Sequence, residues 1–205
     1  DFVRSKFPVF KNPKTKEFAF FENAGGTYVP NSVIKKLNKF MTETKVQPYG
    51  DFPSSIEAGE EMDKSISKIS ELLNIDKDEF IVGPSTTMNM FLLSRAIKHW
   101  LNKGDEIIVT NQDHEANIGA WRKLSEENIV IKEWSLNKDS AELELEDLKS
   151  LINDKTKLIC VCHTSNIVAS INNLENIVNL AHQNNIRVVG DGVAYMAHDL
   201  TDLKK

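Results

Sequence analysis

"KLICVCHTSNIVASINNLENIVNLAHQNNIRVVGD", residues Lys157–Asp191, holds two apolar runs separated by a polar turn and a helical stretch, and its second run ends on a carboxylate. Runs this rich in Val, Ile and Leu read as strands, and Leu174–Asn184 between them spaces its apolar residues as a helix does. Strand, helix and strand in succession form a crossover unit whose strands lie parallel, so the stretch predicts an α/β fold. It also raises a question about Asp191, because a carboxylate buried where a strand runs out needs a cation or several hydrogen bonds to offset its lost hydration.

The alternation extends toward the amino terminus. Apolar runs occur at "FIVG" near Ile81, "EIIVT" near Ile108 and "IVIKEW" near Ile131, and helical stretches at Thr87–Trp100, Ala116–Glu127 and Leu145–Ile152. The prediction is a three-layer αβα domain over residues 56–205, with a mainly parallel sheet and helices on both faces. Residues 1–55 are read as an amino-terminal arm, with a helix capped by Asn31 and carrying Val33, Ile34, Leu37, Phe40 and Met41. A second amphipathic helix carries Met62, Ile66, Ile69, Leu72 and Leu73.

With 205 residues, 40% of them hydrophobic, the chain can build one sizeable core. Its net charge is −5 and its lysines are scattered singly, which excludes a basic footprint for nucleic acid or an anionic membrane. No apolar run approaches the roughly 20 residues that span a bilayer, and no cleavable apolar leader is read at the start. A cytoplasmic protein acting on small molecules is expected. Cys160 and Cys162 fall on one strand face without the spacing of a zinc or thioredoxin motif, and are read as buried thiols. The chain begins at Asp1 without a methionine and stops at "DLTDLKK", so it is expected to be a piece of a longer protein.

In open α/β sheets ligands gather beyond the carboxyl ends of the strands, so the residues following each run are the candidates. After the first run, "GPSTTMNM" breaks a strand at Gly83 and Pro84 and opens a helix at Ser85, Thr86 and Thr87. Free amides and hydroxyls there suit a phosphate, and serve equally as an ordinary helix cap. The stretch is neither a Walker loop nor a GxGxxG fingerprint. The second run is followed by "NQDHEANIGAW", where His114 admits a structural or a proton-transfer reading. Its neighbours Asp113 and Glu115 cannot converge with it on a metal, since adjacent extended residues point to opposite sides. The fourth run leads to His163, Ser165 and Asn166, and the fifth to Asp191. A ligand satisfying all four stations carries a phosphate, a flat ring for His114, a phenolic oxygen for Asn166 and a basic nitrogen for Asp191. Pyridoxal 5'-phosphate has these features, and Asp191 then pairs with its protonated ring nitrogen.

The ordered motifs "FFENAGGTYVP", "GPSTTMNM", "DHEANIGAW", "HTSNIVAS" and "GDGVAYMAH" resemble the amino-terminal half of class V aminotransferases, nearest to the cysteine desulfurase group, from about Phe20 to Lys205. The resemblance implies a fold-type I large domain binding pyridoxal 5'-phosphate and acting on an amino acid, as a homodimer in the full-length protein. It implies that Thr86 and Thr87 hold the phosphate, that His114 stacks on the ring with a possible acid/base role, that Asn166 approaches the phenolic oxygen and that Asp191 binds the ring nitrogen. Asn23, Ala24, Gly25 and Gly26 are placed on the substrate side.

Three departures stand out. Ala194 occupies a position where the family has glutamine or histidine touching the cofactor, so one hydrogen bond is missing. Ala169 stands where the family often has glycine, which matters only if the backbone needs a positive φ. The family's Schiff-base lysine lies beyond the segment matched by His198–Leu203, and Lys204 and Lys205 come too early to replace it. Two rivals follow. One is a truncated or degenerate member without catalysis. The other is a metal-dependent hydrolase using His114, His163, Asp191 and His198, although these lack a His-x-x-x-His pairing.

Overall fold

Four of the five apolar runs form strands in the computed structural model, which describes residues 2–196, 198–199 and 201–204: β1 (Glu106–Thr110), β2 (Val130–Trp134), β3 (Thr156–Cys162) and β4 (Arg187–Asp191). All pair in parallel, in the order β2-β1-β3-β4. The helices are α1 (Phe2–Ser5), α2 (Asn31–Lys39), α3 (Pro53–Leu73), α4 (Thr86–Ile97), α5 (Glu115–Arg122), α6 (Leu145–Leu151) and α7 (Leu174–Gln183). The chain divides into two compact units, Asp1–Phe80 with Thr201–Lys205, and Ile81–Leu200.

In the second unit the sheet is covered on both faces, which is why its central strands are apolar without interruption. Ile107, Val109, Leu158 and Cys160 pack on one side against Ile97, Ile118, Trp121 and Leu124. Ile108, Ile159 and Val161 pack on the other against Leu148, Ile177 and Ala181. All five residues of β1 are buried, whereas β2 and β4 at the margins are only partly covered. This is the three-layer αβα arrangement. The sheet order reverses between β1 and β3, so the crevice beyond their carboxyl ends is the topological switch point where such sheets take ligands.

The first run, near Ile81, is a correction. Phe80–Gly83 is irregular, and Ile81 and Val82 are 87% and 74% exposed. A strand exists only where a neighbour pairs its amides and carbonyls, and none among the described residues does so here.

In the first unit, Asn31 is the first residue of α2 rather than its cap: Pro30 takes the cap position without a side-chain bond, and the Asn31 amide donates to the Lys6 carbonyl at 2.8 Å. The long helix α3 starts with proline in its first turn and ends on Asn74 in the left-handed region at φ 55°, a common stop. Lys36 and Lys39 tie α2 to Glu61 and Glu57 of α3.

Glu106 opens β1 and accepts from Lys132 Nζ at 2.7 Å, Asn153 Nδ2 at 2.9 Å and Thr156 Oγ1 at 3.3 Å. Burial pushes its carboxyl up, but the bonds and the Lys132 charge outweigh burial and hold it below the usual glutamate value. A depressed folded-state pKa contributes stability above the unfolded value, about 4.3, that is lost as pH falls through the folded one. Urea midpoints measured against pH are therefore expected to fall in acid for the wild type and to lose part of that slope in Glu106→Gln.

Candidate functional site

Helices α4 and α5 each return across the sheet to or from β1 through short connections and pack against each other, so both amino termini lie at the carboxyl edge of β1. The Ser85 hydroxyl caps α4 by accepting from the Met88 amide at 3.2 Å. Thr86 and Thr87 occupy the first turn, where amides have no intrahelical carbonyl to meet, and Thr87 is exposed. The helix therefore offers donors and a partial positive charge to an anion.

His114 caps α5, and its Nδ1 accepts from the Ala116 amide at 3.0 Å. The ring is exposed at the edge of the switch point.

Beneath it lies a buried network centred on Asp113, whose part in it sequence reasoning missed. Asp113 is 8% exposed; its Oδ2 accepts from the Thr110 hydroxyl and from the Cys162 amide at 3.0 Å, and its Oδ1 from Asn117 Nδ2 at 2.6 Å. One carboxylate thus joins β1, β3 and α5. Next to it, Gln112 donates to the Ala141 carbonyl at 2.9 Å and accepts from Asn172 Nδ2 at 2.8 Å, while Asn172 also reaches the Cys162 carbonyl at 2.8 Å. The Ser165 hydroxyl donates to the Gln112 carbonyl at 3.0 Å. These partners lie up to 60 residues apart, so no local spacing announces them. The only signal is the density of polar residues directly after strands.

Ser165 is therefore a buried anchor, and it presents the exposed Asn166 on the turn beyond β3. That turn closes with Ala169 at φ +61°, its amide donating to the Ser165 carbonyl at 3.1 Å. The positive φ gives the glycine-to-alanine departure a physical cost of roughly 1–2 kcal/mol, partly offset by the greater unfolded-state entropy of glycine. Ala169→Gly is expected to raise stability by about 0.5 kcal/mol, read as a higher urea midpoint.

Asp191 ends β4 and is 7% exposed. Its Oδ1 accepts from the Val193 amide at 2.9 Å, its backbone carbonyl accepts from the His163 amide at 2.8 Å, and its Oδ2 has no hydrogen-bond partner among the described residues. A buried carboxylate with one oxygen bound and one available fits a cationic ring nitrogen, and the α4 terminus fits a phosphate. The residues present fit pyridoxal 5'-phosphate on these two counts.

The strand ends thus bring His114, Asn166 and Asp191 to one edge of one sheet, with Thr86 and Thr87 at the terminus of the neighbouring helix. Asn23, Ala24, Gly25 and Gly26 are exposed in the amino-terminal unit. Lys204, also in that unit, has its ammonium 3.7 Å from Asp76, and Lys205 lies outside the described residues. Cys160 and Cys162 are buried free thiols; burial, then the Asp113 charge, pushes Cys160 far up, and burial with Asp113 and Asp191 pushes Cys162 up to about 12. Neither is a nucleophile as placed. Among the described residues no three His, Cys, Asp or Glu side chains converge as metal ligands, so His114, His163, Asp191 and His198 do not assemble into one centre. Also among these residues, no helix is long and apolar enough to cross a membrane.

This fold is that of cysteine desulfurases of known structure. The apo cysteine desulfurase of Thermococcus onnurineus superposes with a TM-score of 0.90 at 20% identity, covering 98% of this chain and 49% of that one. The family profile for class-V aminotransferases matches residues 19–205, and the chain belongs to that family. It is 34% identical over 210 residues to the aminotransferase-like protein FGM3 of Gibberella zeae, covering 99% of this chain and 51% of that protein. It is also 34% identical over 210 residues to the cysteine desulfurase-like protein ustD of Aspergillus flavus, covering 99% and 47%. The chain spans about half the length of these relatives.

Proposed function

We propose that the chain is the amino-terminal part of the cofactor-binding large domain of a pyridoxal 5'-phosphate enzyme acting on an amino acid, most like a cysteine desulfurase. Residues 56–205 belong to that domain and residues 1–55 form its arm. The observation that carries the reading is Asp191, buried at the end of β4 with Oδ2 available. Bound there, the cofactor supplies an electron sink for the carbanion left at the substrate Cα. Asp191 keeps the ring nitrogen protonated, Thr86 and Thr87 hold the phosphate, His114 covers the ring and Asn166 approaches its phenolic oxygen. Asn23 to Gly26 serve the substrate side. The covalent lysine belongs to a part of the full-length protein outside these 205 residues, and the active form is a cytoplasmic homodimer.

Ala194 favours a second reading, a family member with weakened or lost catalysis, because a methyl group makes no hydrogen bond to the cofactor. The absorbance spectrum of the full-length protein with pyridoxal 5'-phosphate separates the two. A borohydride-sensitive band in the full-length protein and none in the 205-residue chain supports the enzyme. No spectral change in either overturns it and favours the second reading.

A further inference from the structure

His163 and Tyr195 have no part in the reading above, yet their rings stack with centroids 3.5 Å apart and planes 22° apart. His163 directly follows β3 and is fixed through its backbone: its amide donates to the Asp191 carbonyl and its own carbonyl accepts from the Asn172 amide, each at 2.8 Å. Tyr195 rides on the turn that follows Asp191. That turn carries short-range bonds, from the Tyr195 and Met196 amides to the Gly192 carbonyl at 3.1 and 2.8 Å, and from the Tyr195 hydroxyl to Asp199 Oδ2 at 3.2 Å. The same turn carries the Val193 amide that binds Asp191 Oδ1.

Short-range bonds set the shape of a turn but do not fix it to the sheet. The ring pair does, because it presses the turn against a residue anchored to both β4 and Asn172. With the turn fixed, the Val193 amide stays on Oδ1 and the carboxylate keeps one rotamer, with Oδ2 turned to whatever it must meet. Ala194, the intervening residue, contributes only a methyl group.

We propose that Tyr195, through its stack on His163, is the positioning residue for the Asp191 carboxylate. The inference rests on the reading that Asp191 meets the ring nitrogen of pyridoxal 5'-phosphate. It depends on the aromatic face of Tyr195 and not on its hydroxyl, which bonds to Asp199 four residues on.

The test uses the full-length protein with Tyr195→Phe, Tyr195→Leu and His163→Leu, reading pyridoxal 5'-phosphate affinity by equilibrium dialysis and the pH at which the bound cofactor's absorbance shifts. Tyr195→Phe is expected to stay within about twofold of wild type, and both leucine variants to bind about three- to tenfold more weakly, in line with a lost aromatic pair. The absorbance transition should move in the leucine variants and be restored in Tyr195→Phe, which a loss of general stability does not produce. Leucine variants that match wild type in affinity and transition overturn the proposal and leave the cofactor reading intact. If one leucine variant fails to fold, the other breaks the same ring pair from the opposite side and decides the matter. Wild-type protein that does not bind the cofactor overturns the reading beneath it.

Discussion

Replacing Asp191 with asparagine in the full-length protein is expected to weaken pyridoxal 5'-phosphate binding by at least about 100-fold, the loss of a buried charge-assisted hydrogen bond worth on the order of 3 kcal/mol. The carboxamide oxygen can still accept from the Val193 amide, so the turn survives. The negative charge does not, and with it goes the attraction for a protonated ring nitrogen. The fold should not suffer. In the wild type the Asp191 charge is one of the influences that push Asp113 upward, so its removal relieves a buried like-charge contact. Unchanged or raised thermal stability together with lost cofactor affinity marks a residue kept for binding at the expense of the scaffold. Equilibrium dialysis and a thermal melt on the same samples check both halves.

Asp113→Ala should do the reverse and strike the scaffold first. It strips the acceptor from three buried donors, Thr110 Oγ1, Asn117 Nδ2 and the Cys162 amide, at about 3 kcal/mol. Asp113→Asn keeps one acceptor oxygen and is expected to cost roughly half as much. The pH dependence identifies the group. Burial raises the Asp113 pKa, and the Asp191 charge adds to it, against the bonds from Thr110, Asn117 and Cys162. A folded-state pKa above the unfolded value, about 3.9, means the native state holds the proton more tightly. Its contribution to stability is therefore complete below that value and is lost as pH rises through the folded one. Asp113→Asn should abolish this downward slope. Glu106 slopes the other way in neighbouring acid conditions, so the quantity to compare is the difference in urea midpoint between each variant and wild type.

The fold was legible where strand and helix signals are local. The runs at Ile108, Ile131, Ile159 and Val188 became β1 to β4 because branched apolar residues filled them and helical spacing separated them. The run at Ile81 carried the same composition and failed, because pairing is not a local property. Asn31 looked like a cap by residue type, but the contact between its amide and Lys6 decided the helix start. The strand-end stations were legible for a different reason: an α/β sheet concentrates its polar residues where its strands run out. What supports those stations was hidden. Asp113, Gln112, Asn172 and Ser165 bond across strands and loops far apart in the chain, and the His163–Tyr195 stack joins residues that no periodicity relates. Ala169 shows the limit from the other side: a glycine-to-alanine departure can be read in sequence, but its positive φ emerges only from the turn.

The central claim is that Asp191 holds the ring nitrogen of pyridoxal 5'-phosphate in its protonated form. The most direct measurement is the nitrogen-15 chemical shift of ring-labelled cofactor bound to the full-length protein, at neutral pH, in wild type and Asp191→Asn. The expected result is a pyridinium shift in the wild type that is lost in the variant. An unprotonated ring nitrogen in the wild type, or a shift that Asp191→Asn leaves in place, would contradict the claim.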